Sequence, residues 1–301
     1  MRILLADSGR AMRGGQWQTF YLLRELGRRG EEVRILAEED GDLLRRARAE
    51  GLDAGPIGPG ALWRWSKWAD ITHVQDARSH SLGCLLARSP LVVSRRVAFP
   101  PGRGPLSRWK YSRAKHYIAV SKYARAVLEH AGVAHERISV VHDGVPSPEV
   151  VPSWADRPLP FVAMRTGDPM KGDDLIAEAA ALAGVEITWS DRIDEDLPRA
   201  RVFVYVSRSE GLGSAALLAM ANGTALIASR AGGLEEVVDS GRTGLLVENR
   251  PADIAGAMSR LAHDARFSQS LAAAGPPEVR RRFSLASMAR ATLIVYRKVI
   301  G

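Results

Sequence analysis

Short apolar runs alternate with amphipathic stretches along the whole chain, a pattern met by parallel sheets whose strands are joined by crossover helices. In the first half, Arg2–Ala6, Val33–Ala37, Ile71–Val74, Leu91–Ser94, Tyr117–Val120 and Ser139–Val141 read as strands. Gln16–Arg29, Gly41–Glu50, His80–Arg88 and Lys122–His130 read as helices, the last with Ser121 as its N-cap. In the second half, Phe161–Met164, Glu186–Trp189 and Val202–Val206 read as strands, and Asp173–Leu182, Pro251–His263, Arg266–Ala273 and Leu285–Val299 as helices. Pro146 to Pro160 holds five prolines and reads as a linker. A length of 301 residues suits about two domains, here 1–150 and 151–283, and 46% hydrophobic content fills two cores.

Cys84 is the only cysteine, which excludes an intrachain disulfide and points to a reducing compartment. The N-terminal strand pattern is neither a signal peptide nor an anchor, and no later run reaches transmembrane length. The expectation is a cytoplasmic protein. The formal charge is +8, with six Lys among 42 basic residues, an Arg bias that genomic base composition also explains. Such a charge favours an anionic membrane surface or an acidic acceptor. Leu62–Trp68 and Arg108–Lys115 interleave Trp or Tyr with cations, as a membrane interface does. No zinc spacing or aromatic RNA-binding motif is present, so nucleic acid is not an expected partner. Asp40-Gly41-Asp42 is a short acidic triplet of a common kind, and no metal is expected.

The densest chemistry lies in Ser207–Val247. Glu210 precedes Gly211-Leu212-Gly213, then Ser214 and an Ala/Leu/Met run that ends at Gly223. A strand pattern, Gly232-Gly233 and a new helix follow. Glycines at a helix start admit a phosphate close to unpaired N–H groups and the positive end of the helix dipole. An acid ahead of that turn can bind hydroxyls. Together they describe a pocket for a sugar joined to a diphosphate.

This block resembles the signature of the family 4 glycosyltransferases. Glu210, Gly211, Gly213, Ala219, Met220, Ala221, Gly223, Thr224, Gly232, Gly233 and Glu236 fall on its positions, while Leu218 replaces the second Glu and Ala225 the Pro. The N-terminal strand with Gly14 and Gly15 resembles the family's first strand and Gly-Gly loop. His116 to Val145 resembles the segment that closes the first domain. Arg165 and Lys171-Gly172 stand where the family holds the donor diphosphate. The resemblance implies a GT-B α/β fold: two Rossmann-like domains with a cleft between them, and a last helix (284–301) packing back on the first. It implies transfer of a sugar from a nucleotide-diphosphate donor with retention of configuration, without metal or added cofactor. Basicity and the aromatic–cation segments suggest a glycan or lipid-linked cell-envelope acceptor, with peripheral contact on the cytoplasmic membrane face.

By the same resemblance, Arg165 and Lys171 are the catalytic cations. They stabilise the charge that gathers on the leaving diphosphate, Arg as a planar fork and Lys as a point charge. Glu210 would accept from sugar hydroxyls. Gly14, Gly15, Gly211, Leu212, Gly213 and Ser214 would bind the donor, with Leu218 in the place of the ribose-binding Glu. One missing hydrogen bond to a charged group, about 1.5–3 kcal/mol, weakens donor binding by roughly one to two decades. His73, with Gln75 in place of a second His, Asp76 and His80 follow or end a strand and are candidates to position the acceptor. Arg95 and Arg96 are candidates for an anionic acceptor. For each of these five, a plain structural role is the competing expectation. Only residues 186–200 remain where the family has more structure around the base, so the base pocket would be small or open. Two rivals stay open: an inert nucleotide-sugar-binding homologue, suggested by Leu218, Gln75 and the trimmed base region, and a nucleotide-sugar epimerase on the same fold.

Overall fold

The computed structural model describes residues 1–102 and 104–301. It divides into two compact units, Met1–Gly144 with Leu285–Gly301, and Val145–Ser284.

Unit 1 runs β1 (Arg2–Asp7), α1 (Gly14–Arg28), β2 (Glu32–Ala37), α2 (Asp42–Ala49), β3 (Ala54–Pro56), α3 (Pro59–Trp68), β4 (Ile71–Val74), α4 (Ala77–Leu86), β5 (Leu91–Arg95), α5 (Pro105–Arg113), β6 (His116–Ala119), α6 (Lys122–His130) and β7 (Ile138–Val140). The strands form one sheet in the order β3-β2-β1-β4-β5-β6-β7, every pair parallel. β1 lies centrally, and Ile3, Leu4, Leu5 and Ala6 are fully buried, as expected of a strand covered on both faces. Neither β3, α3 nor α5 was evident from apolar periodicity, since each is short or carries its apolar residues outward.

The units divide at Val145 because its N–H donates to Phe283 O at 2.9 Å and it bridges to Ser284. Unit 2 then runs β8 (Leu159–Met164), α7 (Asp173–Ala183), β9 (Thr188–Ser190), α8 (Ile193–Asp196), β10 (Ala200–Tyr205), α9 (Ser214–Ala221), β11 (Ala225–Ser229), α10 (Leu234–Val237), β12 (Leu245–Val247), α11 (Pro251–His263) and α12 (Ala265–Arg282). Its sheet order is β12-β11-β10-β8-β9, again all parallel. Between β9 and β10 the chain makes only α8 and one 3-10 turn. Expected to end at Ala273, α12 instead continues through Pro276 and Pro277. Interior prolines disfavour a helix by about 3 kcal/mol each. Packing overrides that cost: Gly275 lies so close to α9 that a Cβ there would sit 2.6 Å from Met220 O.

The last helix, α13 (Leu285–Ile300), belongs to unit 1. Met288, Ala289, Val295 and Tyr296 join the core of Ile3, Leu5, Phe20 and Leu26. Tyr296 OH also meets His73 Nδ1 at 2.6 Å, tying α13 to β4.

Three histidines of this unit are buried. Burial, then the Arg96 charge, holds His73 well below the usual imidazole value. Burial, with Lys110 and Arg95, pushes His80 to about 3; burial, with Lys298 and Arg137, pushes His116 to about 4. The unfolded chain takes up these protons near pH ~6.5, whereas the folded chain does not until the pH is far lower. Stability is therefore full above ~6.5 and falls on acidification below it. The thermal midpoint should drop as pH goes from about 7 to about 5, a range in which few carboxylates titrate; a flat profile there contradicts neutral burial of these rings.

Candidate functional site

In open parallel sheets, ligands gather at the carboxyl ends of strands where the strand order reverses. In unit 2 that point lies between β8 and β10. The loop after β8 carries Arg165 and Lys171, and the loop after β10 carries Glu210.

Asp173, first residue of α7, shapes the first loop. Its carboxylate accepts from Thr166 N at 3.0 Å, Thr166 Oγ1 at 2.8 Å and Gly167 N at 2.9 Å. Burial raises its pKa, but these donors and the Arg165 charge outweigh that and leave it lowered. Gly172 has φ +61°, and a Cβ there would lie 2.5 Å from Val206 Cγ1, so the loop rests directly on the end of β10. Lys171 Nζ thereby reaches Glu210 Oε2 at 2.5 Å and Tyr205 OH at 3.1 Å. Tyr205 OH donates to the same Oε2 at 2.6 Å. Burial, then the Glu210 charge, raises the phenol pKa well above its ordinary value, so it stays a neutral donor. The guanidinium of Arg165 is exposed, 5.7 Å from the Trp189 ring centre. The structure thus brings Lys171 and Glu210 together and leaves Arg165 open nearby in sequence but unpaired with either. Tyr205 escaped the sequence reading; its one signal is a polar tip on the last residue of the apolar run from Val202.

The second loop is held by backbone contact. Gly233 N–H donates to Glu210 O at 3.0 Å. A Cβ on Gly232 would lie 2.2 Å from Glu210 O, and one on Gly233 2.1 Å from Gly211 O. Ser207 N–H donates to Ser229 Oγ, whose hydroxyl donates to Asn249 Oδ1, and Asn249 Nδ2 donates back to Ser207 O. Gly213 turns at φ +102° into α9, whose first N–H groups have no side-chain cap. Ser214 and Leu218 are half-buried on α9. Leu212 is 2% exposed, so the residue expected at the donor offers its backbone alone.

Unit 1 reverses between β1 and β4. Gly14 and Gly15 open α1 without a side-chain cap, and a Cβ on either would meet nothing within 4 Å. Asp7, not singled out from sequence, anchors this turn: Oδ1 accepts from Gly9 N at 2.9 Å and Gln16 Nε2 at 3.0 Å, Oδ2 from Thr19 Oγ1 at 2.8 Å. An acid closing an apolar strand just before a glycine was the available signal.

Of the five acceptor candidates, His73 and His80 are buried, while Asp76, Arg95 and Arg96 are half-buried. His73 is 1% exposed and both its nitrogens are engaged, Nε2 with Ser94 Oγ at 2.8 Å, so it cannot touch an acceptor as it stands. His80 is 2% exposed and packs edge-on against Tyr111. Asp76 caps α4, accepting from Arg78 N and Ser79 N, and also from Ser8 N and Oγ, each at 2.6 Å. Burial raises its pKa, and the Ser8 and Ser79 donors more than reverse that. Arg95 is committed to Tyr111 OH and Phe99 O. Arg96 donates to Asp143 Oδ1 at 3.0 Å and to Gln75 Oε1 at 2.7 Å. Asp42, of the acidic triplet, accepts from Met12 N and pairs with Arg45. Among the described residues no group of three or more His, Cys, Asp or Glu could hold a metal, and no helix is long and apolar enough to cross a membrane.

Two all-parallel α/β units with loop clusters at their switch points, and a last helix returning to the first, define a GT-B protein. A crystal structure of Anabaena HepE in complex with UDP-glucose superposes with a TM-score of 0.86 at 15% identity, covering 99% of this chain and 100% of that one. Sucrose-phosphate synthase from Thermosynechococcus elongatus gives 0.74 at 18%, covering 99% of each. At such identities the likeness concerns the fold alone. The family model described as Glycosyltransferase Family 4 matches residues 12–147, and that described as Glycosyl transferases group 1 matches residues 149–264. The chain belongs to the family 4 glycosyltransferases. It is similar to alpha-maltose-1-phosphate synthase of Mycolicibacterium smegmatis, 34% identical over 184 residues, 58% of this chain and 46% of that protein. D-inositol 3-phosphate glycosyltransferase of Nocardioides sp. is 44% identical over 154 residues, 46% of this chain and 33% of that protein. The matched stretches span less than half the length of these curated relatives.

Gly233→Ala tests the backbone contact. The new methyl has nowhere to go but into the Gly211 carbonyl, so the Glu210 loop must move. A loss of about 1–3 kcal/mol of stability is expected from such overpacking, read as a lower urea midpoint; Gly14→Ala, which meets open space, should leave the midpoint within about 0.5 kcal/mol.

Proposed function

We propose that this chain transfers a sugar from a nucleoside-diphosphate donor to a hydroxyl of a glycan or lipid-linked cell-envelope acceptor, with retention of configuration. The observation that carries this reading is the Lys171–Glu210–Tyr205 cluster at the switch point of unit 2, beside the uncapped start of α9. A cation, a fixed hydroxyl acceptor and free N–H groups in one place suit a sugar diphosphate.

In this mechanism the bond from the sugar anomeric carbon to the diphosphate oxygen breaks while a bond to the acceptor oxygen forms on the same face. The acceptor proton passes to a phosphate oxygen of the leaving group. Lys171 and Arg165 stabilise the charge gathering on that group, more in the transition state than before it. Glu210 orients the sugar hydroxyls. The backbone of Gly211–Gly213 and the Ser214 end of α9 hold the phosphates. The start of α1, with Gly14 and Gly15 facing open space, offers a second set of N–H donors for an anion. No divalent metal takes part, and the protein works on the cytoplasmic side with peripheral contact on an anionic membrane. The UDP-glucose held by HepE agrees with a nucleotide-sugar donor.

One observation favours a second reading, an inert sugar-nucleotide-binding homologue. Leu218 places an apolar side chain on α9 where a ribose-binding carboxylate would sit, which would weaken the donor without abolishing its grip.

Thermal shift against UDP, GDP, ADP and their sugars tests the site. A ligand at a hundredfold its Kd stabilises by about 2.7 kcal/mol. One nucleoside diphosphate should raise the midpoint, and Arg165→Ala should remove most of that rise. Slow donor hydrolysis should fall at least tenfold in Lys171→Ala and be unchanged by EDTA. Stabilisation without turnover, with every acceptor tried, supports the inert homologue.

A further inference from the structure

We propose that unit 1 takes up one hydrocarbon chain of an anionic membrane lipid in the groove between α4 and α5, its headgroup held by the basic surface around the groove. The proposal deepens the membrane-contact reading above and rests on it.

The groove encloses about 650 Å³, within the usual size of small-molecule sites. Leu85, Phe99, Leu106 and Trp109 line it, with Arg95 and Lys110 among the remaining walls. These four large apolar side chains are 67%, 64%, 77% and 41% exposed. Isolated exposed leucines are ordinary, but a contiguous apolar patch lining a concave surface marks an interaction site. α5 is peculiar for a helix in a globular unit: none of its residues is buried, and Leu106 and Trp109 stand one turn apart. It starts at Pro105, and exposed cations at Arg108 and Arg113 stand beside the two apolar side chains.

Charge selects the occupant. Residues 77–128 contain eleven Lys and Arg and not one Asp or Glu, more positive charge than the net +8 of the entire chain. The two cations in the groove wall have no carboxylate partner among the described residues. Lys110 Nζ donates to Ala77 O at 2.7 Å, and Arg95 to Tyr111 OH at 3.2 Å and to Phe99 O. Burial lowers the pKa of both, so an anion beside them would relieve an uncompensated cost. Asp76, the acid bounding this stretch, is fully occupied as the cap of α4. A second copy of the chain would bring like charge against like. A soluble glycan has little to gain from aliphatic walls, and nucleic acid would need stacking and base-edge contacts. An anionic lipid satisfies both parts, since binding at an interface scales with buried apolar area plus attraction to acidic headgroups.

The full chain is sedimented with phosphatidylcholine vesicles and with vesicles containing phosphatidylglycerol. The wild type should partition at least tenfold more strongly onto the anionic vesicles. Leu106→Ser/Trp109→Ser, both exposed positions, should lower that partition at least tenfold with an unchanged thermal midpoint. Arg108→Ser/Arg113→Ser should lower it too, and added salt should weaken the wild type. Full binding by the apolar variant would show charge alone at work and overturn the groove; equal binding to neutral vesicles, or none, overturns the proposal outright. The thermal shift with UDP, GDP and ADP is read in the same preparations. Vesicle binding lost with that shift intact sinks only the lipid site, whereas vesicle binding without any nucleotide shift sinks only the donor reading.

Discussion

The loop cluster of unit 2 depends on two peptide planes lying against each other without side chains between them. Gly232 and Gly233 press on Glu210 and Gly211 so closely that a methyl on either glycine would overlap a carbonyl oxygen. This contact, with the N–H of Gly233 on Glu210 O, fixes where the acid stands. Gly172 lays the loop after β8 on the Val206 side chain. Arg208 N–H then bonds Met170 O at 2.8 Å and joins the two loops. Glycine is needed at 232 and 233 because backbone meets backbone, and at 172 because the φ of +61° and the Val206 side chain leave no room for a Cβ; a pair of facing charges is the result.

That logic explains what could be read from the residues alone. The alternation of apolar runs showed both parallel sheets, and the Gly-rich block located the loops, since its spacing is dictated by contacts local to one βαβ unit. Side-chain pairings across units of secondary structure left no such trace. Nothing in the spacing of Lys171, Tyr205 and Glu210 says that all three meet at one oxygen. The surroundings of His73 were hidden for a related reason. A strand end looks alike in sequence whether its side chain faces ligand or core, and the deciding partner, Tyr296, lies 223 residues away. α12 misled because prolines were read by their local cost while Gly275 against α9 supplies the compensating contact.

The polar interior of unit 1 has a coherent structural role. His73 joins Ser94 on β5 to Tyr296 on α13, and Arg96 joins Gln75 after β4 to Asp143 after β7. A buried charge is tolerable only with its partners in place, and here the partners come from the strand ends and the returning helix. Each pairing therefore fixes the carboxyl edge of the sheet, the edge from which the α1 turn and its open glycines project.

The ion pair of unit 2 is suited to opening. Lys171 is 27% and Glu210 16% exposed, so both ends of the pair keep contact with water. In the proposed reaction the ammonium can exchange the carboxylate for a phosphate oxygen, one anionic partner for another. Glu210 would then be left without its cation, and a free carboxylate on a loop would turn. Tyr205 prevents that: its hydroxyl, kept neutral by burial, still donates to the same oxygen at 2.6 Å. A hydrogen bond to a charged group contributes about 1.5–3 kcal/mol, so a substantial contact to the acid persists. The phenol would hold the acid in place for the sugar while the lysine changes partners, which assigns the two contacts at one oxygen separate tasks.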